Sequence, residues 1–102
     1  MKEYELFLPL NYNDGSSIEP EQFMRIRERL LEQFGDFTFF PQANIGFWKS
    51  GLLTFRDNVV FYKIVTKDVR QARRFFRRFK EELKQELRQE EIFILEKDVT
   101  VL

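Results

Sequence analysis

The amino-acid sequence predicts an α+β sandwich in which two helices cover one face of a four-stranded antiparallel sheet. Four segments are rich in alternating or β-branched apolar residues, and two longer stretches carry apolar residues at helical spacing. Their order along the chain is β-α-β-β-α-β, which is typical of a ferredoxin-like sandwich. The length of 102 residues suits one such domain, so we expect residues 1–102 to form a single unit.

The pattern begins with a strand followed by a helix. Residues Tyr4–Leu10 alternate between two faces and predict the first strand. Pro20 suits the first position of a helix, because a backbone N–H at that position has no hydrogen-bond partner within the helix and proline loses nothing by lacking one. The helix is expected to end at Phe34, since Gly35 readily adopts the left-handed conformation that terminates helices. The residues expected on its apolar stripe are Phe23, Leu30, Leu31 and Phe34.

The middle of the chain predicts two strands with an irregular region between them. Phe37–Pro41 is a short second strand, and the β-branched and aromatic run Val59–Val65 is the clearest strand signal in the sequence. Between them, Asn44–Phe55 contains two glycines and several large apolar residues. We expect this segment to form an extra hairpin between strands 2 and 3 or an irregular extension of the second strand.

A second helix and a last strand complete the pattern. Asp68 can cap a helix, and Gln71 stands at the capping-box position. The helix is predicted over Val69–Gln89, and Ile92–Leu95 is the last strand. The apolar stripe of this helix consists of Ala72, Phe76, Phe79, Leu83 and Leu87.

The second face of the sheet carries more apolar side chains than an open face normally does. Every predicted strand offers large apolar residues to both faces, yet two helices can cover only one. The cover could be the Asn44–Phe55 segment, a second copy of the protein, or a ligand or nucleic acid that stacks on the aromatic rings. We favour a second copy, which predicts a homodimer. The residues expected on this face are Phe7, Phe61, Phe93, Trp48 and Phe47.

Charge is balanced overall but uneven along the second helix. The net charge is zero, which disfavours a protein built to coat nucleic acid, although residues 67–80 hold seven basic residues and one acidic residue. The candidate anion or phosphate contacts are Arg70, Arg73, Arg74 and Arg77. The alternative is a solvated helix face with ion pairs one turn apart, namely Arg77–Glu81 and Arg78–Glu82.

The sequence lacks the residue types that several common kinds of catalytic and metal site require. The sequence has no His and no Cys, which excludes imidazole mechanisms, thiolate metal sites and disulfides. The two glycines of Gly46–Leu52 have the spacing of a phosphate-binding loop, but Leu52 and Leu53 stand after the second glycine, where the loop needs Lys and Ser/Thr. We identify no catalytic, cofactor-binding or metal residue. No apolar run is long enough to span a bilayer and no signal peptide is visible, so we expect a cytoplasmic protein with no membrane partner.

Three groups of turn and aromatic residues stand out along the chain: Leu8-Pro9-Leu10-Asn11 with Asp14-Gly15, Phe39-Phe40-Pro41-Gln42, and Gly46-Phe47-Trp48 with Arg56-Asp57. They resemble those of a family of short bacterial proteins, cyanobacterial ones included, that has no assigned activity. The resemblance covers most of the chain and implies no catalytic residue. It does imply that Trp48, the Gly46 loop and Asn11–Gly15 share one edge of the molecule.

The preferred function from the sequence is that of a small cytosolic, non-enzymatic protein that self-associates through its apolar sheet face, as a regulatory or adaptor module. One alternative is RNA or nucleotide binding, with Phe7 and Phe61 stacking on bases and the arginines contacting phosphate. Another is small-molecule binding, or a His-independent enzyme of the dimeric ferredoxin-like type, with a pocket between the sheet and the Trp48 segment.

Overall fold

A computed structural model describes residues 1–102. One sheet contains all four strands in the order β2-β3-β1-β4, and every neighbouring pair is antiparallel. The predicted ferredoxin-like α+β sandwich is therefore confirmed, with β2 and β4 at the edges of the sheet. The elements are β1 (Lys2–Pro9), α1 (Pro20–Phe34), β2 (Thr38–Ser50), β3 (Leu53–Thr66), α2 (Val69–Glu86) and β4 (Phe93–Asp98).

The core lies between the helices and one face of the two central strands. Alternation places every second residue of β1 and β3 on this face, where Leu6 and Tyr62 lie opposite each other and are fully buried. Phe76 of α2 stacks on Tyr4 with 4.7 Å between ring centroids. The 17 buried residues, all apolar or aromatic, form a single cluster, so the fold has one core.

The helix boundaries follow local sequence signals. The helix α1 begins at Pro20 and ends before Gly35, which has a φ of 82° and donates its N–H to the Leu31 carbonyl at 2.8 Å. The carboxylate of Asp68 accepts a hydrogen bond from the Gln71 backbone N–H, as expected of an N-cap. The helix α2 ends at Glu86, three residues before the predicted end.

The prediction that Leu31 belongs to the apolar stripe of α1 is wrong. Leu31 is 48% exposed, whereas Ile26 is buried together with Phe23 and Leu30. The reason is the helical period: Ile26 lies three residues after Phe23 and four before Leu30, so all three share one face. Leu31 is rotated by about 80° from Phe23 and lies at the edge of that face.

The segment between the second and third predicted strands is a regular extension of both. Pairing of β2 with β3 continues from Asn44 opposite Val59 to Ser50 opposite Leu53, whereas β1 pairs with β3 only from Val59 onward. Residues 44–58 therefore project beyond the sheet as a two-stranded structure, here named the ribbon. The register shifts between Phe40 and Asn44, next to Pro41, which has no N–H to donate to the ladder.

Candidate functional site

A row of four phenylalanines crosses the face of the sheet that the helices leave uncovered. Phe7 lies opposite Phe61 on β3 and opposite Phe93 on β4, and Phe61 lies opposite Phe40 on β2. The ring centroids of Phe7 and Phe61 are 4.7 Å apart, and those of Phe7 and Phe93 are 6.4 Å apart. Phe93 is 61% exposed. Each strand thus contributes one ring to a continuous apolar band, and we call this side of the sheet the open face.

A charge-balanced group lies beside this band on the same face. The ammonium of Lys97 lies 2.7 Å from a Glu5 carboxylate oxygen and 3.2 Å from one of Glu3. Lys63, opposite Glu5 in the sheet, is 3.5 Å from the same Glu5 oxygen. The hydrogen bond from Lys97 lowers the pKa of Glu5, and the bonds to Glu5 and Glu3 raise the pKa of Lys97. The two acids and two bases therefore neutralise one another next to the phenylalanine row.

The open face continues onto the ribbon. Phe55 and Asp57 share the side of β3 that carries Phe61, because all three are separated by even numbers of residues. Trp48, opposite Phe55, stacks on it with 4.3 Å between ring centroids, and its indole N–H donates to the Asp57 carboxylate at 2.7 Å. This hydrogen bond and the stacking hold the indole flat against the ribbon, although 49% of the Trp48 surface is exposed.

The structure brings together four of the five residues predicted for this face. Phe7, Phe61, Phe93 and Trp48 share one side, whereas Phe47 is paired with Arg56 on the reverse side of the ribbon and is 69% exposed. Phe40, which completes the row, was not among the predicted residues. Alternation places Phe39 and Phe40 on opposite faces, but only long-range pairing with Phe61 shows which of the two is uncovered.

Of the four arginines predicted to contact an anion, Arg73 is already paired with an acidic residue of the chain. Its guanidinium makes two hydrogen bonds to the Glu96 carboxylate, at 2.7 and 3.1 Å. The Tyr4 hydroxyl donates to the same carboxylate at 2.6 Å. These bonds from Arg73 and Tyr4 lower the pKa of Glu96 to about 2, while burial and the Glu96 hydrogen bond raise the pKa of Tyr4 to about 12. Arg73 therefore ties α2 to the edge strand β4.

The other predicted arginines remain without acidic partners. Arg70, Arg74 and Arg77 are exposed, and no carboxylate lies within 4.0 Å of them or of Arg78. The helix face is solvated, as the alternative expects, but the ion pairs Arg77–Glu81 and Arg78–Glu82 do not form, because each acid pairs with another base. Glu81 bonds to Lys84 at 3.7 Å, and Glu82 bonds to Arg29 of α1 at 2.7 Å. The outward side of α2 thus keeps four unneutralised guanidinium groups.

The arginines and the open face lie on opposite sides of the molecule. The helix α2 packs on the face of β1 that carries Tyr4, whereas Phe7 lies on the other face. The combined nucleic-acid site, with Phe7 and Phe61 for bases and the arginines for phosphates, is therefore not assembled in one place. The ribbon also extends the sheet rather than folding over it, so the segment around Trp48 does not enclose a pocket against the sheet.

The remaining candidate features are sparse. No group of three or more Asp or Glu side chains is arranged to hold a metal ion. Neither helix has the length and apolar character needed to cross a membrane. The two surfaces with a distinctive composition are therefore the apolar open face and the positively charged outward side of α2.

Solved structures with a similar fold include a phage SAM lyase and CutA1. A structure titled as a phage SAM lyase in complex with S-methyl-5'-thioadenosine has 16% identity and a TM-score of 0.66, with 95% of this chain and 80% of that chain covered. A structure titled as a phage SAM lyase in its apo state has 17% identity, a TM-score of 0.66 and coverage of 94% of this chain and 78% of that chain. A CutA1 variant from Pyrococcus horikoshii has 14% identity, a TM-score of 0.61 and coverage of 100% and 86%. No family model and no curated protein sequence matches the chain. At these identities the similarity shows that this is a small ferredoxin-like protein.

Proposed function

We propose that this protein is a self-associating module in which two copies bury their open faces against each other, and that it acts in the cytoplasm as a regulatory or adaptor protein. The observation that carries the proposal is the phenylalanine row across all four strands, which lies on the face of the sheet opposite the helices; Phe93 is exposed, and Phe7, Phe40 and Phe61 are half-buried. A sheet face of this kind left in water would form a large apolar patch, and such patches mark interaction surfaces.

The energetics favour a second copy as the cover. Fully burying an exposed phenylalanine side chain contributes about 1.5–3 kcal/mol. Phe93 can gain most of this, and the half-buried Phe7, Phe40 and Phe61 can gain a part of it. In a two-fold arrangement the same patch serves both copies, so it must complement itself in shape and charge. The group formed by Glu3, Glu5, Lys63 and Lys97 meets this condition, because two acids and two bases can face an identical group without excess charge of one sign.

The test is the mass of the particle in solution. Light scattering across roughly 1–100 µM, a range in which an association of about −7 to −8 kcal/mol is resolved, is expected to show twice the mass of one chain at the higher concentrations. The mass should fall toward that of one chain on dilution if the association is in the micromolar range. A single-chain mass at every concentration would contradict the proposal.

A second candidate function is the binding of a small aromatic ligand at the Trp48–Phe55 stack. An exposed indole held flat by Asp57 offers a surface on which a purine ring can stack. The fold neighbour solved with S-methyl-5'-thioadenosine supports the choice of probe. Because Trp48 is the only tryptophan, its fluorescence reports directly on this position. We expect S-methyl-5'-thioadenosine to quench or shift the emission, and an unchanged spectrum at millimolar probe would exclude this candidate.

A further inference from the structure

A half-open groove lies between α1 and α2, on the side of the molecule away from the open face. Its volume is about 420 Å³, within the range of small-ligand sites. Polar side chains dominate the lining, and they come from both helices: Arg29, Glu32, Gln33, Gln71, Arg74, Phe75 and Arg78. Three guanidinium groups and two amides can donate hydrogen bonds into the same space.

The arginine at the α1 side of the groove is fixed in place. Its guanidinium bonds to Glu82 at 2.7 Å and lies over the rings of Phe75 and Phe79, at 5.6 and 4.8 Å from their centroids. These contacts hold Arg29 against the helix pair, so less conformational freedom is lost when it contacts a ligand. Glu82, which could have neutralised Arg78 one turn away, is occupied by this bond.

The arginines of α2 create an unbalanced positive field. Arg70, Arg74, Arg77 and Arg78 all lie within the first three turns of α2 and have no carboxylate within 4.0 Å. The amino end of a helix carries a partial positive charge of its own. This charge disfavours Arg70 in the first turn, and the four neighbouring guanidinium groups repel one another along the helix. A bound anion would offset this repulsion. Arginine in particular matches phosphate oxygens with pairs of parallel hydrogen bonds.

We propose that the groove between α1 and α2 binds a compact ligand carrying two or more phosphate groups. Arg74 and Arg78 contact the phosphates from α2, Arg29 contacts them from α1, and Gln71 and Gln33 donate further hydrogen bonds. Glu32 also lines the groove from α1, and its carboxylate repels anions, which places the phosphates nearer to α2. The groove is large enough for a chain of phosphates with part of a nucleoside, and its arginines on two helices favour several adjacent charges over one.

The test is titration calorimetry at low salt, with inorganic tripolyphosphate as the probe and a nucleoside triphosphate as a second arm. Replacing Arg74 by Gln is expected to weaken tripolyphosphate binding by about tenfold or more, because a hydrogen bond between charged groups is lost. Arg77→Gln is the matched control. It removes the same charge from the same helix at a position that does not line the groove, and we expect less than about threefold weakening from lost long-range attraction.

The outcomes distinguish specific binding in the groove from non-specific electrostatic attraction to α2. Equal losses in Arg74→Gln and Arg77→Gln would overturn the proposal, as would the absence of binding to wild type at low salt. Binding of a short single-stranded RNA without binding of tripolyphosphate would also overturn it. Tighter binding of the nucleoside triphosphate than of tripolyphosphate supports the groove and identifies a nucleotide as the source of the phosphates, and equal affinity supports it with inorganic polyphosphate as the source.

Discussion

Replacing Phe93 by Glu is expected to leave the fold intact and to separate the proposed dimer into single chains. Phe93 is 61% exposed in one chain, so a carboxylate at this position stays in water when the protein is alone. In a dimer that buries the phenylalanine row, each copy would bring one unpaired carboxylate into the interface, next to its own Phe7. Burying an unpaired charge is strongly unfavourable. We expect the dissociation constant to rise by about 100-fold or more, measured by light scattering over a concentration series.

Phe47→Glu is the matched control for this experiment. It makes the same chemical change at a phenylalanine that is at least as exposed, but on the reverse side of the ribbon. The mass of this variant should equal that of wild type. If Phe47→Glu dissociates the protein and Phe93→Glu does not, the interface lies on the reverse side of the ribbon and the open-face proposal is wrong.

The second large effect is expected from Phe79→Ala, which should lower the free energy of unfolding by about 3–5 kcal/mol. The Phe79 ring is buried, packs near Phe75 at 5.0 Å between centroids, and supports the Arg29 guanidinium. Its removal leaves a cavity between the helices and the sheet. Since domains of this size are stable by only about 5–15 kcal/mol in total, the loss should be evident in a urea titration monitored by circular dichroism.

Phe47→Ala is the control for the stability measurement. Its ring is 69% exposed, so its removal should change the free energy of unfolding by less than about 1 kcal/mol. All variants must be compared at one protein concentration, because self-association adds to the measured stability of every form that associates. A Phe79→Ala protein as stable as wild type would show that the helices do not pack as described.

The sequence predicts those parts of the fold that depend on nearby residues. Pro20 and Gly35 mark the ends of α1, and Asp68 marks the start of α2, because each of these residues acts on its own turn of backbone. The apolar alternation of β1 and β3 is also a local property. For this reason the element order and the fold class could be predicted, and the four-stranded sheet followed from them.

The ribbon and the ion pairs could not be predicted in the same way, because they depend on contacts between distant residues. Pairing of Asn44 with Val59 across a register shift is favoured only after β2 and β3 have aligned. Arg73 bonds to Glu96, which is 23 positions away, instead of to an acid on its own helix. The sequence shows that charges are clustered on α2, but only the packing of α2 on β4 and α1 decides which guanidinium groups stay free.

The two edge strands determine how far assembly can proceed. Exposed edges can recruit further strands and polymerise into fibres. Here the pairing of the edge strand β2 is interrupted beside Pro41. The other edge strand, β4, is short and ends in the charged residues Glu96, Lys97 and Asp98. Within the four-stranded part of the sheet, neither edge strand offers a long uninterrupted row of unpaired backbone groups. We therefore expect copies that meet face to face to form a closed particle of finite size, without strand addition at these two edges.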